Sequence, residues 1–362
     1  MKLIYYSPGT FEQISDKPDI KIWMALFDLY QLNISFVDRT NVIRTPIKTE
    51  SPIETSLPVS SSFNLSFDEC AVKTAERIYK KHESTGVPIR LHWSGGIDSS
   101  AAVAAFIDLL GAEKASKTIE IVMSANGMIE NPYMWEKIIR KEKFKIINSL
   151  TYEDKFNSEY IAVNGEGGDQ IHGGDIYRPL ISKFGPDILN KNWNETLVIE
   201  FIRMRTSLNQ DESEFLAQLL IKQIRLAPVA IETMADFFWW LNFTCKWNCT
   251  FYRLLTKSVS PIERATINNH FFPFYSSEEF QLWSMYMRHE KHKGNWDTYK
   301  WKAKDYVCKI LKDNSYQAKH RQGSLTVVMS HTPRYEAIDS NFNFHTKLNP
   351  LDWYEPNNDF IR

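Results

Sequence analysis

The sequence predicts an α/β fold: a parallel sheet with helices on both faces, followed by a mainly helical C-terminal region. Three observations predict it. Between residues 66 and 164, short β-branched runs alternate with stretches of helical length, the pattern of βα units. Two of these runs end in glycine-rich turns that carry acids, as ligand loops do at the carboxyl ends of strands in open α/β sheets. Beyond Asp175 the strand signal fades, and residues 187–345 are dominated by helical patterns.

The elements follow in order. Residues 1–64 read as a small N-terminal α/β region, with strand-like Lys2–Tyr6 and Asn33–Val37, a helix over Ile20–Leu32, and a connector rich in Pro, Ser and Thr over 45–62. Residues 65–186 read as the α/β core. Ser66-Phe67-Asp68-Glu69 is a capping box, and it starts a helix to about Lys81. A strand through Leu91, a helix over Ser99–Leu110, a strand over Thr118–Ser124 and a helix over Pro132–Lys141 come next. Strands over Phe144–Ser149 and Tyr160–Asn164 close the alternation. Residues 187–362 form the helical region, with helices over Glu212–Arg225 and Ile231–Leu255. In the second of these, Trp239, Trp240 and Trp247 read as core, with a base-stacking platform as the alternative.

Composition narrows the function classes. The chain has 362 residues, 43% hydrophobic and 24% charged, as in a globular protein with a substantial core. A net charge of −1 gives no global basic footprint for nucleic acid. Four cysteines make no secreted-type framework; Cys245 and Cys249 lie one helical turn apart, Cys70 and Cys308 stand alone, and buried thiols are expected. The densest apolar run, Phe237–Leu241, is too short to span a bilayer, and no signal peptide is recognisable, so a cytoplasmic location is expected.

The chemistry starts at Ser94-Gly95-Gly96-Ile97-Asp98-Ser99-Ser100, directly after the strand-like Ile89–Trp93. A strand running through such a turn into a helix aims backbone N–H groups at one point, where a phosphate fits. Gly95 and Gly96 let backbone approach an anion, while Ser94, Ser99 and Ser100 add hydroxyls. The carboxylate of Asp98 would repel a polyphosphate unless Mg²⁺ lay between them. The loop is not a Walker loop, since it lacks the Gly-x-x-x-x-Gly-Lys-Ser/Thr string. A second strand-to-loop passage, Tyr160–Gly174, contains Asn164-Gly165-Glu166-Gly167-Gly168-Asp169-Gln170-Ile171-His172-Gly173-Gly174.

The first loop resembles the pyrophosphate loop of the N-type ATP pyrophosphatases. The second resembles the Gly-Glu-Gly-x-Asp signature of asparagine synthetases and their relatives, including β-lactam synthetases. Together they identify an asparagine synthetase-like synthetase domain over about residues 65–310, with an adenine nucleotide alpha hydrolase-like fold. The resemblance implies ATP and Mg²⁺ as cofactors. It implies Ser94, Gly95, Gly96, Asp98, Ser99, Ser100, Gly165 and Gly167 around the nucleotide, Asp98 and Asp169 as metal ligands, and Glu166 as a base for an attacking amine. His270–Ser276 looks like the family's Arg-x-Pro-Phe-Leu-Asp segment, with Tyr275-Ser276 in place of Leu-Asp. The family's phosphate-contacting lysine maps to Lys300, with Lys302 and Lys304 as rivals.

Three departures bear on the substrate. Gln170 stands where the family has Glu, and His172 where it has Phe. No N-terminal nucleophilic cysteine is found, so no glutaminase is expected, and nitrogen would come from ammonia, an amine or a partner. The aspartate-site stretch of true asparagine synthetases is replaced by Trp247–Arg253. The expected function is therefore an AMP- and pyrophosphate-forming ligase that adenylates a carboxylate or carbonyl oxygen of a small molecule and transfers it to an amine or ammonia, without a membrane and with a homo-oligomer possible. A nucleobase-modifying enzyme acting on tRNA or DNA and a non-catalytic nucleotide-binding protein are the alternatives. Between Arg288 and Arg321, ten Lys/Arg face four Asp/Glu. That surplus fits a pyrophosphate exit, a local nucleic-acid patch or a solvated helical face.

Overall fold

The β-branched and aliphatic runs become strands. In chain order these are β1 (Leu3–Tyr6), β2 (Ile89–His92), β3 (Ile119–Met123), β4 (Lys145–Asn148), β5 (Ile161–Asn164), β6 (Phe271–Pro273), β7 (Ala337–Asp339) and β8 (Phe344–His345). The computed structural model describes residues 1–30, 35–51, 53–60, 62–149, 158–248, 264–314, 316 and 335–356. The chain divides into two compact units, one made of Met1–Leu57, Gly173–Lys257 and Pro333–Arg362, the other of Pro58–His172 and Ser258–Thr332.

The second unit holds a five-stranded parallel sheet in the order β4-β3-β2-β5-β6, flanked by helices. β3 and β5 are buried along their length, as strands covered on both faces must be. The chain leaves β2 through the helix Ile97–Leu110 toward β3 on one side, whereas β5 pairs on the other. The strand order therefore reverses at β2/β5, where open α/β sheets form a crevice outside the carboxyl ends of the strands. His92 and Asn164, the last residues of β2 and β5, are register partners, so both glycine loops emerge side by side.

The capping box is formed: Ser66 accepts from the Glu69 backbone N–H, and the Glu69 carboxylate accepts from that of Ser66. The helix continues to Thr85 and stops at Gly86, which takes the left-handed conformation. Two elements of this unit differ from expectation. Residues 135–139 wind as a π-turn after a short helical turn over Pro132–Met134. Strand β6 lies in the stretch read as dominated by helical patterns. It is only three residues long, too short for periodicity to register, and Phe272 is held extended by the proline that follows.

The first unit contains a smaller antiparallel sheet, β1-β7-β8, joining the beginning of the chain to residues 337–345. Residues 35–37 are not a strand, and 33–34 lie outside the described residues. Helices Pro18–Tyr30, Glu195–Arg205, Gln210–Ile224 and Met234–Cys245 complete this unit. Every residue of Met234–Cys245 is buried, so the helix is enclosed on all sides rather than on one stripe, its polar Asp236, Asn242 and Thr244 included. Trp239, Trp240 and Trp247 are core residues: Trp239 stacks on Phe243, and the Arg39 guanidinium lies 4.2 Å over Trp247. The base-stacking alternative falls with their burial. Cys70, Cys245 and Cys308 are buried thiols, and Cys249 lies outside the described residues. Among the described residues, no helix is long and apolar enough to cross a membrane.

Candidate nucleotide and metal site

The first loop is knitted by its own serines. The Ser94 backbone N–H donates to Ser99 Oγ at 3.2 Å, and the Gly96 N–H to Ser94 Oγ at 3.3 Å. Ser99 Oγ in turn donates to the Gly96 carbonyl. Ser100 is turned inward, accepting from Trp93 Nε1 at 3.1 Å and Asn131 Nδ2 at 3.0 Å. It anchors the loop to the sheet, whereas Ser94 is half-buried and Ser99 is buried within the loop at 4% exposure. Asp98 sits in the first turn of the helix Ile97–Leu110, at the end where the helix dipole favours a carboxylate.

The second loop packs directly on the first. A Cβ at Gly165 would lie 2.6 Å from the Ser99 backbone nitrogen, and one at Gly168 would overlap the Asp98 carboxylate. Only glycine permits that approach at either position. Gly167 lies against Tyr275, and the Glu166 backbone N–H donates to Asn164 Oδ1 at 3.1 Å. Asp169 opens the short helix Gly168–His172 on the same side as Asp98.

Lys300 joins the two acids. Its Nζ lies 2.6 Å from Asp98 Oδ2 and 2.7 Å from Asp169 Oδ1, and the residue is only 4% exposed. Burial works against its charge, but the carboxylates of Asp169 and Asp98 outweigh it and raise the ammonium above its ordinary titration range. Lys300 takes a left-handed backbone conformation, φ 59°, ψ 29°, at the start of the helix Trp301–Leu311. Its backbone N–H donates to the Lys291 carbonyl at 3.2 Å, closing the Lys291–Lys300 loop.

Two tyrosines complete the surroundings: Tyr275, noted in the sequence only for its place in His270–Ser276, and Tyr299, which sequence reasoning did not single out. The Tyr299 hydroxyl donates to Asp169 Oδ1 at 3.0 Å, and the Tyr275 hydroxyl to the Asp98 carbonyl at 3.2 Å. Burial, then the nearby Asp98, pushes the Tyr275 phenol well above its ordinary range, so it stays a donor. The one available signal for Tyr299 is its place beside Lys300. His172 is fully buried among Phe67, Tyr275, Trp283 and Tyr299, with Nδ1 2.8 Å from the Gly168 carbonyl. Burial pushes its titration down to about 3, so it is neutral and Nδ1 carries the donated proton.

The rival lysines go elsewhere. Lys304 Nζ donates to the Asp297 carbonyl at 3.1 Å, and burial lowers its titration. Lys302 pairs with Glu290 at 3.1 Å and Lys309 with Asp68 at 3.0 Å. Lys291, Lys300 and Lys304 are 2%, 4% and 6% exposed. Part of the lysine surplus is therefore directed inward (Lys291, Lys300, Lys304) or paired (Lys302, Lys309), while Lys293 and Lys312 are exposed. The remaining positions up to Arg321 reach into residues outside those described, as do residues 249–253.

Chemically, two carboxylates share one cation beside a loop rich in backbone N–H groups and hydroxyls. Among the described residues, no group of three or more His, Cys, Asp or Glu side chains is placed to hold a metal. Two carboxylate ligands are nonetheless what Mg²⁺ takes when substrate phosphates and water supply the rest of its octahedron. No family model matches the chain, and neither a curated protein nor a solved structure does.

Proposed function

We propose that the protein is an ATP-dependent, AMP- and pyrophosphate-forming ligase of asparagine synthetase-like type, built on an adenine nucleotide alpha hydrolase-like fold. The observation that carries this reading is the meeting of Asp98, Asp169 and Lys300 beside two interlocked glycine loops at the sheet's switch point. In this reading a carboxylate oxygen of the substrate attacks the α-phosphorus of ATP. The bond from that phosphorus to the bridging oxygen breaks, and pyrophosphate leaves. An amine or ammonia nitrogen then attacks the acyl carbon, and AMP leaves with the electron pair of the carbon–oxygen bond.

The residues divide the work. Ser94, Gly95, Gly96 and Ser99 hold pyrophosphate through hydroxyls and backbone N–H groups. Lys300 offsets the charge that grows on the leaving pyrophosphate, where a fixed cation lowers the barrier most. Glu166 takes the proton from the attacking nitrogen. Asp98 and Asp169 would hold Mg²⁺, which neutralises phosphate charge when bound. The inward Lys291, Lys300 and Lys304 and the paired Lys302 and Lys309 favour small-molecule substrates over a nucleic-acid backbone. Abundant ATP and Mg²⁺ make the cytoplasm the natural setting.

Pyrophosphate–ATP exchange tests this reading. Labelled pyrophosphate is expected to enter ATP only when an acceptor carboxylate from a metabolite pool is present, and Asp98→Ala is expected to abolish the exchange. ATP turnover without exchange, in the presence of every carboxylate that supports turnover, would count against it.

A further inference from the structure

We propose that Lys300 itself holds the cation seat between Asp98 and Asp169, so that its ammonium and a divalent cation exclude one another. The metal is then admitted only with a phosphate-bearing anion that draws the ammonium away. The inference rests on reading Asp98 and Asp169 as metal ligands. Their oxygens lie 2.6 and 2.7 Å from Lys300 Nζ, and that side chain is 5% exposed against 24% and 33% for the two acids. A metal bound to the same two oxygens at about 2.1 Å would bring like charges within a few ångströms in a site with little water between them.

Charge balance makes the exclusion conditional. Asp98, Asp169 and Lys300 together carry −1, which suits a partly buried cluster. A divalent cation alone turns that sum to +1, and a phosphate anion returns it to a negative value. The anion's seat is next door: the Ser94–Ser99 loop and the start of the Ile97–Leu110 helix are continuous with Asp98. The move belongs to the lysine side chain. Its backbone is fixed by the Lys291 carbonyl and by the helix it starts, while its four-carbon stem is flexible. Metal and polyphosphate binding are thereby coupled, each raising the other's affinity by the same factor.

Mn²⁺ binding to the full chain without nucleotide, read by calorimetry or by electron paramagnetic resonance, tests this. Lys300→Met is expected to bind Mn²⁺ at least tenfold more tightly than the wild type, and adding Asp98→Asn to that variant is expected to remove the gain. Equal affinity in the wild type and Lys300→Met would overturn the exclusion. Lys300→Gln, which keeps a donor and most of the length, gives the same reading should the methionine variant fold poorly. Acetylation of the wild type, followed by mass spectrometry, gives a check without substitution. Mn²⁺ with inorganic pyrophosphate is expected to expose Lys300 to the reagent while Mn²⁺ alone leaves it protected. Mn²⁺ bound at these acids with Lys300 still protected, or Mn²⁺ alone exposing Lys300 as fully as the pair does, would overturn the proposal. No nucleotide enters these measurements. A failure here leaves the AMP-forming reading standing, and a failure of that reading leaves the exclusion standing.

Discussion

At the scale of single residues, Lys300 bears on both stability and chemistry. Lys300→Ala leaves two carboxylates facing each other, and urea denaturation is expected to show a loss of ~2 kcal/mol, below the full cost of a broken buried pair because both acids are partly exposed. Steady-state kinetics are expected to show kcat lower by ~10²–10³-fold with the KM for ATP little changed, the signature of a charge that acts on the leaving group. His172 gives a prediction in pH. Its titration lies at about 3 in the folded chain against 6.5 ordinarily, because burial disfavours the imidazolium. The unfolded chain therefore takes up a proton on acidification before the folded chain does. The stability tied to His172 is fully present above pH 6.5 and is lost as the pH falls toward 3, at ~1.4 kcal/mol per pH unit. His172→Phe is expected to remove that slope from a series of denaturation curves between pH 6.5 and 4, while losing one hydrogen bond worth ~1 kcal/mol at neutral pH. Asp98, Asp169 and Lys300 were legible because each sits in a short string whose chemistry depends on local order. The hydroxyls of Tyr275 and Tyr299 were not, because each reaches an acid more than a hundred residues away in sequence.

At the scale of elements, the two loops behave as one interlocked part. Gly165→Ala is expected to lower stability by ~1–3 kcal/mol, through a Cβ set against the Ser99 backbone nitrogen, and to reduce turnover with it. Circular dichroism melts beside activity measurements check both effects. Strands and helices carrying strong local signals were readable: the capping box at Ser66, the helix after the first loop, and the apolar runs of β2, β3 and β5. β6 was not, since three residues carry no period and their extended form is set by pairing with β5. The lysine-rich segment was readable as a charge excess but not in direction. Whether a lysine turns inward or outward depends on the acids and carbonyls that the fold brings to it, here Asp98, Asp169, Glu290 and the Asp297 carbonyl.

At the scale of the whole molecule, a parallel α/β sheet carries the candidate site in one unit, and a largely aromatic core sustains the other. In that second core Trp23 is fully buried and touches the rings of Tyr6, Phe11 and Phe27. Trp23→Ala is expected to cost ~3–5 kcal/mol in urea denaturation, the range for deleting a large buried ring. Alternation of strand and helix made the parallel sheet legible, and β1 was readable as a strand, whereas its pairing with β7, more than three hundred positions away, left no local trace. The central claim is that the chain splits ATP between its α- and β-phosphates. The most direct measurement is ³¹P NMR of the products formed from ATP, Mg²⁺ and a pool of carboxylates and amines. AMP and pyrophosphate in equal amounts, absent with Asp98→Ala, are the predicted result; ADP and inorganic phosphate would contradict it.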